Sequence, residues 1–176
     1  MTLQLDYPSE NEIKQRVIAA VCRLYRHDWD LLDVEINERA ITHKLAEYFQ
    51  DEFPEWHVDC EYNRLGNQVK RVHIENQPGN LADMDQQAVI PDIIVHRRRT
   101  GNNLLAIEVK KSGGSEELDY QKLRAFTIHP SYKYHFGLFL RIGLGNVELT
   151  VFSRGREISS WTVDLQEALR VLGYGE

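Results

Sequence analysis

The chain has 176 residues, of which 42% are hydrophobic and 27% charged, with a formal net charge of −6. That length suits one globular domain, residues 1–176, able to bury a core without covalent help, and the unbroken spread of apolar residues calls for neither a linker nor a disordered tail. The acidic balance excludes a uniformly basic nucleic-acid coat but leaves room for a local basic cleft, because Lys70-Arg71, Arg97-Arg98-Arg99, Lys110-Lys111 and Lys122/Arg124 are grouped.

Met1 to Glu12 has neither a basic start nor an apolar run of signal-peptide length, and no stretch approaches the roughly 20 apolar residues of a membrane span. A cytoplasmic protein without a membrane partner is expected. Cys22 and Cys60, far apart among apolar neighbours, read as buried thiols without a metal signature.

Ile13, Val17, Ile18, Val21, Leu24 and Tyr25 recur at helical spacing, which predicts a helix over Glu12 to Arg26 with Ser9 or Asn11 as its cap. A second helix is expected from about Val34 to Asp51, capped by Asp33 and closed by Pro54. The period then becomes two: Trp56, Val58, Cys60 and Tyr62 alternate with polar residues, as in a half-buried strand. Leu65 to Met84 shows no clean pattern and reads as an excursion with one short strand, because Gln77-Pro78-Gly79-Asn80 is turn chemistry.

Two apolar runs follow, Ala88 to Val95 and Leu104 to Val109, and the Gly- and Asn-bearing segment between them predicts an antiparallel hairpin. Ser115 is placed to cap a helix ending near Thr127 to Pro130, with Glu116 and Glu117 in its first turn. Strands over Tyr134 to Arg141 and Val147 to Ser153, and a helix near Leu165 to Leu172, complete an α/β chain.

Three charges interrupt the hairpin's apolar runs. Asp92 follows Pro91 and precedes Ile93-Ile94-Val95, Glu108 stands between Ile107 and Val109, and Lys110 comes two residues later. With the turn near Thr100, residues whose numbers sum to about 200 face each other, so Asp92 lies opposite Glu108 within a residue or two. Lys110 points to the same side. Charges inside apolar strands are costly unless paired or bound to metal. A buried carboxylate–lysine pair or a solvated edge hairpin explains any one of them, whereas the trio together points to hydrolysis of a phosphodiester assisted by Mg²⁺, a hard cation that prefers carboxylate oxygens.

Pro91-Asp92 followed, after a hairpin-length gap, by Glu108-Val109-Lys110 resembles the PD-(D/E)xK nuclease superfamily, whose members include restriction endonucleases and junction resolvases. The likeness spans roughly residues 34 to 141 and rests on a short motif set in the right order of elements. It implies a restriction-endonuclease-like αβββαβ core, a central mixed β-sheet flanked by helices, here with an extra N-terminal helix and extending to about residue 153. It further implies that Asp92 and Glu108 bind Mg²⁺, for which Mn²⁺ substitutes, with help from the Val109 carbonyl. Lys110 would orient or activate the attacking water.

Superfamily members often add a carboxylate from the helix before the sheet, and Glu35, Glu38 and Glu47 are the candidates. At about 100° per residue, Val34, Leu45 and Phe49 fall within roughly 40° of Glu38, so Glu38 is expected to project from the apolar face. Glu47 points away and Glu35 is marginal. By the same geometry Lys122, between Leu118 and Phe126, faces inward, either contacting the site or snorkelling along the core. A buried salt bridge is the competing role for Glu38.

The seven histidines lack ligand spacing, which argues against zinc. Arg97 to Arg99 are placed to grip a phosphate backbone, but an arginine-rich turn is more often simply solvated. Glu61, Asn63 and Arg64 are read as a solvated face, and Gly143 to Gly145 as a hairpin turn. The expected function is therefore a Mg²⁺-dependent nuclease acting on nucleic acid, DNA in the first instance, alone, as a homodimer or beside a partner protein. The alternatives are an inactive nuclease-fold domain that binds nucleic acid or protein, and a structural subunit whose charges form an ion network.

Overall fold

A computed structural model describes residues 7–33, 38–61, 64–65, 68–69, 90–111 and 113–175, with only the backbone at 64–65 and 68–69. Helix α1 spans Glu10–Asp28, and the Ser9 hydroxyl caps it by accepting the Glu12 N–H at 3.2 Å. A one-turn helix α2, Asp30–Asp33, follows. Helix α3 is Glu38–Glu52. Of the single helix expected over Val34 to Asp51, residues 34–37, Val34 and Glu35 among them, lie outside the described residues.

Strand β1 is His57–Cys60, and the short strands β2 (Arg64–Leu65) and β3 (Gln68–Val69) pair antiparallel as a separate two-stranded sheet. The region expected to hold one short strand therefore opens with two; the remainder of the excursion, with Lys70-Arg71 and the turn at Gln77 to Asn80, lies outside the described residues. Then come β4 (Ile93–His96), β5 (Asn103–Lys111), α4 (Glu117–Ile128), β6 (Phe136–Ile142), β7 (Glu148–Ser153), β8 (Arg156–Ser160) and α5 (Thr162–Val171). Around the motif the elements run α3, β1, β2, β3, β4, β5, α4, β6, and with the separate β2–β3 pair set aside this is a helix, three strands, a helix and a strand.

The main sheet has six strands in the order β1-β4-β5-β6-β7-β8. All neighbours are antiparallel except β5 and β6, which run parallel because α4 carries the chain across between them. The result is an α/β protein with a mixed sheet covered by helices on both faces. On one face Ile93, Val95, Leu105, Ile107 and Val109 join the apolar stripes of α1, α3 and α5. On the other, Ile94, Ala106, Phe139 and Phe152 meet Leu123 and Phe126 of α4. Two-residue alternation thus sends Glu108 and Lys110, in phase with Ala106, toward α4.

Close approach of α4 to the sheet depends on Gly137 of β6. A Cβ there would stand 3.1 Å from the Leu123 Cβ and 3.3 Å from the Leu123 carbonyl oxygen, tighter than ordinary van der Waals contact. A Gly137→Val substitution should lift α4 and destabilise the protein by about 1–3 kcal/mol through overpacking, read as a lower urea midpoint at unchanged slope.

No described helix is long and apolar enough to cross a membrane. Both cysteines are free and, where buried thiols were expected, half-buried: each packs against the margin of the core. Burial, with Glu61 and Asp59 nearby, still pushes the Cys60 thiol up to about 11.

Candidate active site

The hairpin register is the one the sequence implies: Ile93 faces Ile107 and Ile94 faces Ala106, which continues to Asp92 opposite Glu108. Strand β4 starts one residue after Asp92, so Asp92 occupies the junction between buried Pro91 and the sheet. Its carboxylate turns back onto β5, where Oδ2 accepts the Val109 N–H at 2.8 Å. The Asp92 carbonyl accepts the Glu61 N–H at 3.0 Å, extending the β1–β4 pairing past its last strand residue. Burial raises the Asp92 pKa against the lowering effects of the Val109 N–H and Lys122, and the Glu38 and Asp119 charges add to the rise.

Glu108 is only 2% exposed although its neighbours in β5 are almost all apolar. Its Oε2 accepts from Lys122 Nζ at 3.1 Å, and its Oε1 is buried with no hydrogen-bond partner. Burial, and next the charge of Asp92, hold the Glu108 carboxyl well above the usual range. A buried carboxylate that lacks a partner on one oxygen carries an unpaid desolvation cost, which a cation would offset.

Lys122 is on the inward face of α4, as its angular position implies. Burial lowers its pKa, but Glu108 and Asp119 together raise it above the ordinary lysine value, so it is a firm cation. Its ammonium is shared between Glu108 and Asp119 Oδ1, the latter at 3.3 Å. Lys110 also reaches α4, with Nζ 3.1 Å from Asp119 Oδ2. The positive-φ glycines Gly113 and Gly114 turn β5 into α4 and let this helix return over the strand end. Ser115 accepts the Glu117 N–H at 3.4 Å, but Glu116 holds the cap position and the helix starts one residue later than expected.

Asp119, which the motif does not contain, joins both lysines to this cluster. It is buried beside Leu123 and Phe126 on α4. The helical geometry that singles out Lys122 also marks it, since Leu123 and Phe126 lie within about 40° of Asp119. Leu118, expected to flank Lys122 on the buried face, is instead 40% exposed. Arg141 was also unmarked: buried opposite Lys110 in the β5–β6 register, it donates to Glu116 (2.9 Å), Glu148 (3.3 Å) and the Gly113 carbonyl (3.3 Å). It pins the β5–α4 turn to the sheet.

Glu38 corrects its expected environment. It is the first described residue of α3 and exposed, one turn ahead of the stretch whose Ile41, Leu45 and Phe49 are buried in the core. Its direction is nonetheless toward the sheet end, where Oε2 accepts the Lys111 N–H at 3.0 Å. A cavity of about 430 Å³ lies between them, lined by Glu38, Arg39, Thr42, His43, Cys60, Glu61 and Asp92.

The hairpin-tip arginines are mostly committed within the protein. Arg97 stacks over the Trp56 ring at 4.9 Å and Arg98 pairs with Asp59, leaving Arg99 at the exposed tip with φ of 61°. Asp59 also pairs with buried His96 at 2.7 Å. Glu61 is exposed and pairs with Arg39 at 3.2 Å, Glu47 is engaged by Lys44 at 2.7 Å, and Asn63 lies outside the described residues.

Among the described residues no three His, Cys, Asp or Glu side chains form a ready-made metal cage. Here Lys122 partly offsets the charge of Glu108. The donor set still suits a hard divalent cation: Asp92 and Glu108 are carboxylates from facing positions, and Glu108 Oε1 lacks a partner.

Neither a family model nor a curated protein sequence matches the chain. A solved structure described as "Crystal structure of SSO0001" is similar over 95% of this chain and 79% of that one, at 16% identity and a TM-score of 0.37. Likeness that distant carries no argument about function.

Proposed function

We propose that the chain is a Mg²⁺-dependent nuclease of the PD-(D/E)xK type that hydrolyses phosphodiester bonds in DNA. The observation that carries this reading is Glu108, a carboxylate buried in the central strand with one oxygen unpartnered, opposite Asp92 and beside two lysines. Asp92, Glu108 and the Val109 carbonyl would hold Mg²⁺ or Mn²⁺, with Glu38 contributing from the start of α3. The bound ion would offset charge on the phosphoryl oxygens and lower the pKa of a water.

The protein's own groups divide the remaining work. The Val109 N–H fixes the Asp92 carboxylate against β5. Lys110 orients the attacking water, and Lys122 places a second positive charge where a phosphate would approach. Both ammonium groups are held by Asp119 rather than left to wander.

Calorimetry with Mg²⁺ or Mn²⁺, combined with cleavage of plasmid, single-stranded and branched DNA, tests the proposal. Wild type should bind metal and cut at least one substrate, and Asp92→Ala should lose both. Absence of binding, or binding indifferent to Asp92→Ala, would sink it.

A specific observation favours a second reading. The chain Glu108–Lys122–Asp119–Lys110 is a continuous ion network, as a purely structural cluster would be. That reading requires Glu108→Ala to unfold the protein readily in metal-free buffer and metal to have no effect on stability.

A further inference from the structure

With all five groups ionised, Asp92, Glu108 and Asp119 face two ammonium groups, Lys110 and Lys122, which leaves one negative charge over. The sharing of those ammonium groups is uneven. Asp119 uses both oxygens, Oδ1 for Lys122 at 3.3 Å and Oδ2 for Lys110 at 3.1 Å. Glu108 uses only Oε2, for Lys122 at 3.1 Å. Among the described residues Lys122 is therefore the single group with a foot in both sets, and it stands one helical turn from Asp119 on the same helix.

We propose that Lys122 is a resident counter-ion for Glu108 that moves wholly onto Asp119 when a divalent cation binds, making Asp119 the positioning residue for both lysines. This rests on the proposed metal-binding role of Asp92 and Glu108. Two cations cannot both sit against one buried carboxylate without mutual repulsion, and Lys122 can leave Glu108 without losing its last partner. The local balance then turns positive, which suits an arriving phosphodiester. In the free protein the same ammonium keeps Glu108 from being buried alone. A lysine held only by Glu108 would have no such second seat, so Asp119 is what makes the exchange inexpensive.

Lysine-ammonium NMR on the full chain, titrated with Mg²⁺ and paired with calorimetry, reads this without any cleavage assay. In free wild type, the Lys122 nitrogen should show hydrogen-bond coupling to the carboxylate carbons of both Glu108 and Asp119. Saturating Mg²⁺ should abolish the Glu108 coupling and keep that to Asp119, with Lys110 unmoved. In Asp119→Asn, Mg²⁺ should instead cost Lys122 its slow ammonium exchange, a loss that a merely structural Asp119 would not produce. Mg²⁺ binding with the Lys122–Glu108 coupling intact overturns the exchange while leaving the nuclease reading standing. Absence of any Mg²⁺ binding overturns both.

Discussion

Glu108→Gln is expected to abolish Mg²⁺-dependent cleavage, by about a thousandfold or more, and yet to make the metal-free protein more stable at about pH 8. The two effects have one cause. Burial and the Asp92 charge hold the Glu108 pKa above its ordinary value, so the folded state binds this proton more tightly than the unfolded chain. The corresponding stability is complete below the ordinary glutamate range of about 4.3 and drains away as pH rises through the folded-state value. Over that window the slope approaches about 1.4 kcal/mol per pH unit for one proton. Glutamine cannot ionise and fills nearly the same volume, so the variant should lack this loss. Asp59 and Glu148 are shifted the opposite way, Asp59 by Arg98 and His96 against its burial and Glu148 by Tyr120, Thr150 and Arg141 against its own. Their stabilisation is present above the ordinary carboxylate range and is lost in acid, so it does not mask the Glu108 signal. Chemical denaturation of both proteins across pH, with and without Mg²⁺, measures the difference. Mg²⁺ should restore stability to wild type alone.

Lys110→Met is expected to behave differently, lowering cleavage by about a hundredfold to ten-thousandfold while leaving Mg²⁺ affinity within a few fold of wild type. Among the described residues the lysine contacts Asp119 and no other carboxylate by hydrogen bond, so its removal does not strip a metal ligand. It should also change stability little, because its ammonium is partly exposed and Asp119 keeps Lys122. Single-turnover cleavage beside calorimetric titration separates the two quantities. A matched loss of metal affinity would mean that Lys110 shapes the ion site itself.

Much of this arrangement was legible in the residues. The hairpin turn fixed which positions oppose, and the register with Ile93 against Ile107 brings Asp92 to Glu108 as the arithmetic of the turn requires. Lys122 was found by helical angle because α4 is regular and packs one face on the sheet. Glu38 was placed on the correct side of its helix but in the wrong environment, since angle says nothing about where along its axis a helix leaves the core. Asp119 was missed for a different reason. A carboxylate in the first turn of a helix has an ordinary role beside the helix dipole, so its place on the buried face is no signal by itself. Arg141 had no local signal, because its partners Glu116 and Glu148 come from α4's leading edge and the next strand.

The most direct measurement is the anomalous signal of a crystal grown with Mn²⁺. A metal-dependent site predicts one strong peak between the carboxylates of Asp92 and Glu108, within bonding reach of the Val109 carbonyl, with Lys122 turned to Asp119. A peak absent from that position, with Lys122 still on Glu108 at saturating Mn²⁺, would contradict it.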